Sequence, residues 1–175
     1  MYLTGGQFKG HKIETPKNTR PTLSKVRESV FNMLYSYFEN NGTFLDMFAG
    51  SAIMGLEAVS RGYSVTEVEI NPKTANVIKN NYEKIKTKPQ IIVCDSLKLK
   101  TEHKFDIIYI DPPWQNDYKE ILLKAKDLLK DDGIIVVEFD LMTGENIKNL
   151  FSDFKFNILK EKKYGRTLIS FISIK

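Results

Sequence analysis

A chain of 175 residues with 42% hydrophobic and 27% charged residues has the size and composition of one globular domain, which excludes disordered and collagen-like classes. Its single cysteine, Cys94, rules out an internal disulfide framework, its two histidines, His11 and His103, lie too far apart in sequence to suggest a metal site, and no apolar run approaches the ~20 residues of a membrane span. No metal is therefore expected, and the expected location is the cytoplasm. Net charge is +4, yet residues 1–27 carry Lys9, Lys12, Lys17, Arg20, Lys25 and Arg27 against Glu14, a net of +5 that leaves −1 for the rest. A basic arm on a near-neutral body is either a solvated tail or a contact for a polyanion.

Residues 1–22 are rich in Gly, Pro, Thr and Lys, with Gly5, Gly6, Gly10, Pro16 and Pro21, and read as an extended arm or short hairpin ahead of a domain over 23–175. From Ser24 the residues Val26, Val30, Phe31, Leu34 and Phe38 recur at helical spacing, with Thr22 or Ser24 available as the cap. Asn40-Asn41-Gly42 then leads into the apolar run Phe44-Leu45-Asp46-Met47-Phe48. Strands are expected over 64–70, 90–94 and Phe105–Ile110, and helices over 73–85 and from about 118 to 129. Asp131-Asp132-Gly133 is expected to turn into a strand over 134–139. Short apolar strands alternating with helices indicate a parallel sheet covered on both faces. Residues 154–162 and Thr167–Ile174, joined across Tyr164-Gly165-Arg166, should pair as an antiparallel hairpin. The expected fold is α/β: a doubly wound, mostly parallel sheet with an antiparallel C-terminal edge.

Open α/β sheets bind ligands outside the carboxyl ends of their strands. The first strand ends in Asp46-Met47-Phe48-Ala49-Gly50-Ser51-Ala52 with Gly55 just beyond, and the next ends at Glu69, where a carboxylate holds ribose hydroxyls. An adenosine-bearing cofactor is indicated. Gly50, Ala52 and Gly55 match dinucleotide spacing with alanine at the middle position, where a Cβ hinders a pyrophosphate. Asp46 suits a cationic amino-acid moiety, so S-adenosyl-L-methionine is favoured over NAD. Asp95, ending the third strand, is placed to meet the adenine amino group. The cofactor contacts expected are Asp46, Phe48, Ala49, Gly50, Ser51, Glu69, Ile70, Asp95, Ser96 and Asp111. Asp46 and Asp95 could instead simply cap turns.

The fourth strand ends in Asp111-Pro112-Pro113-Trp114. An exocyclic base nitrogen is a poor nucleophile because its lone pair is delocalised into the ring. A carboxylate and a backbone carbonyl that accept its two N–H groups localise the pair toward the methyl, and Asp111 and the Pro112 carbonyl fit that role. Pro112 and Pro113 stiffen the backbone, and Trp114 offers a face on which an extruded base can stack. Taken alone, the tetrapeptide also reads as an ordinary strand-to-loop turn. Cys94 has no adjacent proline or basic residue, so it reads as packing rather than as the nucleophile of cytosine-C5 methylation.

These residues resemble the RsmD family, bacterial guanine-N2 methyltransferases of small-subunit (16S) ribosomal RNA. The likeness runs through Gly5-Gly6-Gln7-Phe8-Lys9-Gly10, Arg20-Pro21-Thr22, Val26-Arg27-Glu28, Phe31-Asn32, Leu45 to Ser51, Gly55-Leu56-Glu57-Ala58, Ser60-Arg61-Gly62, Asp111-Pro112-Pro113 and the tail Tyr164-Gly165 with Thr167. The resemblance implies a Rossmann-like class I methyltransferase with a seven-stranded sheet, and ribosomal RNA as partner, free or within the small subunit or an assembly intermediate. It also implies that Arg20, Thr22 and Arg27 lie near the cofactor and RNA entrance. The basic arm, through Lys9, Lys12, Lys17 and Arg20, then contacts RNA phosphates together with Arg27, while Trp114 binds the RNA by stacking on the extruded base. A monomer is the default expectation. Ala52 departs from the family's usual glycine, and Ser24 stands near a position that is often acidic or threonine.

Asp-Pro-Pro-aromatic is shared with DNA adenine-N6 methylases, which makes that activity the nearest rival. An NAD-dependent oxidoreductase lacks support, since no Tyr-x-x-x-Lys pair or catalytic histidine falls near the strand ends. A non-catalytic nucleic-acid-binding module would leave Asp46, Glu69 and Asp111 without a purpose.

Overall fold

The computed structural model describes residues 1–16, 22–113, 117–143 and 147–174. The first helix, α1 (Ser24–Phe38), buries Val26, Val30, Phe31 and Leu34 on one face, as their spacing predicts. Leu23 stands at its N-cap without a side-chain cap, so neither expected residue caps it. Ser24 Oγ instead accepts a bond from Arg27 Nη2 at 3.1 Å. Glu39 and Asn40, both left-handed, stop the helix and turn the chain into β1 (Thr43–Asp46).

Then follow α2 (Ile53–Ser60), β2 (Ser64–Glu69), α3 (Pro72–Lys84), β3 (Gln90–Val93), β4 (Phe105–Ile110), α4 (Tyr118–Leu128) and β5 (Leu129–Asp140). Asn71 and Asp117 cap α3 and α4, each side chain accepting the N–H two residues on, at 2.9 and 2.8 Å. A short helix α5 (Ile147–Asp153) precedes β6 (Phe156–Tyr164) and β7 (Thr167–Ile174).

The strands form one seven-stranded sheet in the order β3-β2-β1-β4-β5-β7-β6. β1 to β5 are parallel, β7 is antiparallel to β5, and β6 is antiparallel to β7. Helices α1, α2 and α3 cover one face and α4 and α5 the other, giving two core layers. The order reverses between β1 and β4, and that switch point opens the crevice where doubly wound folds bind ligands.

Three local expectations change. Asp131-Asp132-Gly133 is a wide bulge inside β5, where the pairing jumps from Phe105–Leu129 to Ile107–Ile134. A β-carbon on Gly133 would meet Leu129 Cγ at 2.7 Å, so the bulge needs glycine. The last hairpin starts at Phe156, because left-handed Lys155 ends the turn after α5. Helix α5 lacks a visible sequence signal: it is seven residues long and only Ile147 and Phe151 are buried.

Residues 1–13 fold back on themselves as a hairpin, with Tyr2 bridging Lys12 and Ile13 N–H donating to Met1 O at 2.7 Å. Leu3 and Ile13 are 2% and 1% exposed, so its apolar side is built into the first core layer.

Candidate active site

Glu69 ends β2 with its carboxylate pinned by two backbone donors, Gly50 N–H at 2.9 Å and Asn71 N–H at 2.8 Å. It thereby joins the β1 loop to the start of α3. Asp95 accepts from Leu97 N–H at 3.0 Å, and the Ser96 hydroxyl bonds the Met47 carbonyl, which closes the third strand end against the first. Asp46, Phe48, Ala49, Gly50, Ser51, Glu69, Ile70, Asp95 and Ser96 all line one cleft of about 550 Å³. Thr22, Asp111, Pro112 and Pro113 line it too. Every expected cofactor residue among the described ones therefore meets in one place.

Gly55 has a different purpose from the one its spacing suggests. A β-carbon there would sit 2.6 Å from Glu67 Cδ and 2.8 Å from the Tyr82 hydroxyl, so glycine lets α2 approach β2 and α3. Glu67 is fully buried and accepts a hydrogen bond from Tyr82. Burial, with nearby Asp46 and then Glu69, holds the Glu67 carboxyl well above the usual range despite that bond. Ala52 adopts φ 54°, ψ 22° at the N-cap of α2 and is fully buried, so its methyl adds backbone strain without lining the cleft.

Asp46 is 2% exposed and accepts from Phe48 N–H at 3.2 Å. Burial above all, with Glu69 adding to it and the Phe48 bond opposing it, pushes the Asp46 carboxyl up to about 7. Six carboxyl groups line the cleft, those of Asp46, Glu69, Asp95, Asp111, Glu138 and Asp140, and no Lys, Arg or His does so among the described lining residues. Such a lining repels a pyrophosphate and attracts a cation. A cofactor carrying a sulfonium and an ammonium, with a ribose diol for Glu69, fits this donor and acceptor set, and a dinucleotide does not.

The catalytic end sits at the carboxyl edge of β4 and β5. Asp111, Pro112 and Pro113 are described and line the cleft; Trp114 lies outside the described residues. Tyr109 is 2% exposed, two residues before Asp111, and its hydroxyl donates to Glu138 Oε2 on β5. Tyr118 donates to the Glu138 carbonyl at 3.1 Å, and Thr22 Oγ1 lies 3.4 Å from the Tyr109 hydroxyl. Burial first, then the charges of Glu138 and Asp111, push the Tyr109 phenol well above its ordinary range, so it stays a donor. Tyr109 and Glu138 line the cleft but belong to no motif, whereas Tyr164 and Thr167, which also line it, come from the family-like tail and lie outside the expected site. Glu138 lies two residues before the end of β5, and the only local mark it carries is a carboxylate inside the apolar run 134–139.

One expected RNA contact is overturned. Arg27 is 1% exposed, its Nε pairs with buried Glu57 at 3.0 Å, and its remaining donors reach the carbonyls of Thr22 and Tyr2 at 2.7 and 2.9 Å. A guanidinium so enclosed cannot reach a phosphate. Glu57 also accepts from Thr4 N–H at 2.8 Å and from Arg61, so the network ties the N-terminal hairpin to α1 and α2. Lys9 and Lys12 are exposed. The hairpin tip is bonded to Ser60, Gln7 N–H to its carbonyl at 2.7 Å and Phe8 N–H to its hydroxyl at 3.0 Å. Ser60 ends α2 roughly 10 Å along the helix from the cleft-lining Ile53. Lys17 and Arg20 lie outside the described residues. Cys94 packs against the second core layer, and burial, followed by Asp95, pushes its thiol up, as suits a packing role.

Sheet order, strand-end carboxylates and the β4 tetrapeptide together define a Rossmann-like methyltransferase architecture. A solved structure described as a putative methyltransferase yhhF from Escherichia coli superposes with a TM-score of 0.85 at 24% identity, covering 100% of this chain and 98% of that one. The sequence pattern of the family described as Conserved hypothetical protein 95 matches residues 1–173, and the chain belongs to that family, the one its motifs resemble. Among relatives, the Ribosomal RNA small subunit methyltransferase D of Buchnera aphidicola subsp. Acyrthosiphon pisum is 37% identical over 148 residues, 79% of this chain and 77% of that protein. That of Haemophilus influenzae is 31% identical over 176 residues, 93% and 88%. The Putative rRNA methyltransferase YlbH of Bacillus subtilis is 36% identical over 153 residues, 80% and 83%.

Proposed function

We propose that this protein methylates the exocyclic N2 amine of a guanine in small-subunit ribosomal RNA, with S-adenosylmethionine as donor. The carrying observation is that Asp111-Pro112-Pro113 opens onto the same acidic cleft as Asp46, Glu69 and Asp95. Bound there, S-adenosylmethionine supplies an electrophilic methyl carbon. Glu69 would hold its ribose hydroxyls, Asp95 its adenine amino group, and Asp46 its aminoacyl cation, beside the loop of Phe48, Ala49, Gly50 and Ser51. The exposed side chain of Ile70 offers an apolar face to the adenine.

The chain's own contribution to the chemistry is orientation and proton transfer. Asp111 and the Pro112 carbonyl accept the amine hydrogens and localise the nitrogen lone pair. After the nitrogen gains its new substituent, Asp111 or a water it holds takes the surplus proton. The acidic cleft repels phosphate, so the RNA backbone runs outside it, where exposed Lys9 and Lys12 would contact phosphates. The substrate would be ribosomal RNA, free or within the small subunit or an assembly intermediate, in the cytoplasm, and the enzyme a monomer.

Labelled S-adenosylmethionine is offered with unmodified small-subunit particles, naked ribosomal RNA and unmethylated DNA, and the products are digested to nucleosides. Label in N2-methylguanosine, lowered at least ~100-fold by Asp111→Ala, is the expected result. Label in N6-methyladenine of DNA would overturn the target.

A further inference from the structure

We propose that the β6–β7 hairpin holds the RNA backbone at the cleft rim, with Lys160, Lys162 and Lys163 pairing to phosphates. The inference rests on the ribosomal RNA reading above. Residues 160–166 carry Lys160, Lys162, Lys163 and Arg166 against Glu161, a net of +3 in a chain whose total is +4. The two acids nearby are already matched: Glu161 meets Lys148 of α5 at 2.8 Å, and Asp140 meets Arg166 at 3.0 Å. Lys162 Nζ donates to the neutral Ser29 hydroxyl of α1 at 2.8 Å. Among the described residues, neither Lys160 nor Lys163 has an acidic partner. The surplus charge therefore sits on three lysines.

The place of the hairpin gives that surplus a use. Tyr164 and Thr167, paired with each other at its tip, both line the cleft. At about 3.3 Å per residue, Lys163 and Lys162 stand roughly 3 and 7 Å along β6 from Tyr164, and Lys160 roughly 13 Å. β6 is the outermost strand of the sheet. Its register with β7 puts Lys160 and Lys162 on the α1 side, opposite Phe171 and Ile169, and Lys163 on the other face, opposite Leu168. The lysines thus flank the outer edge from both sides, and Lys160 and Lys163 are exposed. The carboxyl groups of the cleft exclude phosphate, so a nucleotide that enters leaves its backbone at the rim, where this hairpin ends. The N-terminal hairpin, by contrast, has its tip tied to Ser60, at the far end of α2. Lysines on an outer strand also deter edge-to-edge pairing between molecules, but in that role their neutralisation would leave RNA binding untouched.

Binding of unmodified small-subunit ribosomal RNA is measured by filter retention from about 50 to 200 mM salt. Lys160→Gln, Lys162→Gln and Lys163→Gln together should lower the slope of log affinity against log salt by roughly 2–3. The wild type then loses about 20- to 40-fold more affinity than the variant across that range. In methyl transfer the variant should raise KM for the RNA more than it lowers kcat, with calorimetric affinity for S-adenosylmethionine unchanged. Lys160→Gln with Lys163→Gln keeps the bond to Ser29 and is the second variant, expected to lower the slope by roughly 1–2. The control neutralises three exposed lysines on and after α3, toward the amino end of β3: Lys79→Gln, Lys86→Gln and Lys88→Gln. It removes the same charge and should keep the wild-type slope. A slope unchanged in both hairpin variants, or lowered equally by the control, would overturn the role of the hairpin. A wild type that neither binds nor methylates ribosomal RNA would overturn the functional reading, and that result appears before any variant is tested.

Discussion

Replacing Asp46 with asparagine should stabilise the cofactor-free protein above neutral pH and at the same time weaken its hold on S-adenosylmethionine. The carboxyl is raised from 3.8 to about 7 in the folded chain, chiefly by burial. A raised folded pKa means that its favourable contribution is complete below about pH 4 and is lost as pH climbs through 7. At about 1.4 kcal/mol per unit, the roughly three-unit shift costs the wild type ~4 kcal/mol at pH 8. For a domain of this size that is roughly 10 °C in Tm. Asp46→Asn removes this penalty while its amide oxygen can still accept the Phe48 N–H. Thermal unfolding of both proteins without cofactor, at pH 4, 5.5, 7 and 8.5, should show Tm values that coincide at pH 4 and diverge above it. Calorimetric titration should show wild-type affinity falling by up to tenfold per unit below about pH 7, with the variant weak and flat. Parallel Tm curves over the whole range would refute the argument, because the Asp46 charge would then carry no buried cost.

Gly55→Ala should destabilise the fold by ~1–3 kcal/mol, read by urea unfolding, because the added carbon presses on Glu67 and the Tyr82 hydroxyl. Ala52→Gly relieves a left-handed backbone worth about 1–2 kcal/mol and gives back part of that in chain entropy. A net gain of ~0.5–1 kcal/mol with unchanged cofactor affinity is expected by the same unfolding assay and by calorimetry. Arg27→Ala takes from buried Glu57 one of its two guanidinium partners, leaving Arg61, and uncovers the carbonyls of Thr22 and Tyr2, which should cost ~1–3 kcal/mol in unfolding free energy. At temperatures where that variant stays folded, the salt dependence of RNA binding should match wild type, whereas Lys9→Ala combined with Lys12→Ala should lower the slope by roughly 1–2.

The alternation of short apolar strands with helices, and the carboxylates at strand ends, are local patterns of period 2 and 3.6. For that reason the sheet, Asp46, Glu69, Asp95 and Asp111 are legible from the residues alone. The same local logic misread Asp131-Asp132-Gly133, since a bulge inside a strand uses the residues that make a turn. What only the tertiary structure decided lies between residues distant in sequence. Arg27 reads as a basic arm residue until Glu57, thirty positions away, encloses it. Gly55 reads as part of a ligand loop until Glu67 and Tyr82 crowd it, and Glu138 reads as one more strand residue until the Tyr109 hydroxyl bonds it at the cleft wall. Periodicity records which side of an element faces the core. It carries no term for the partner that another element brings to the same spot, and burial, charge and hydrogen bonding at this site are set by those partners.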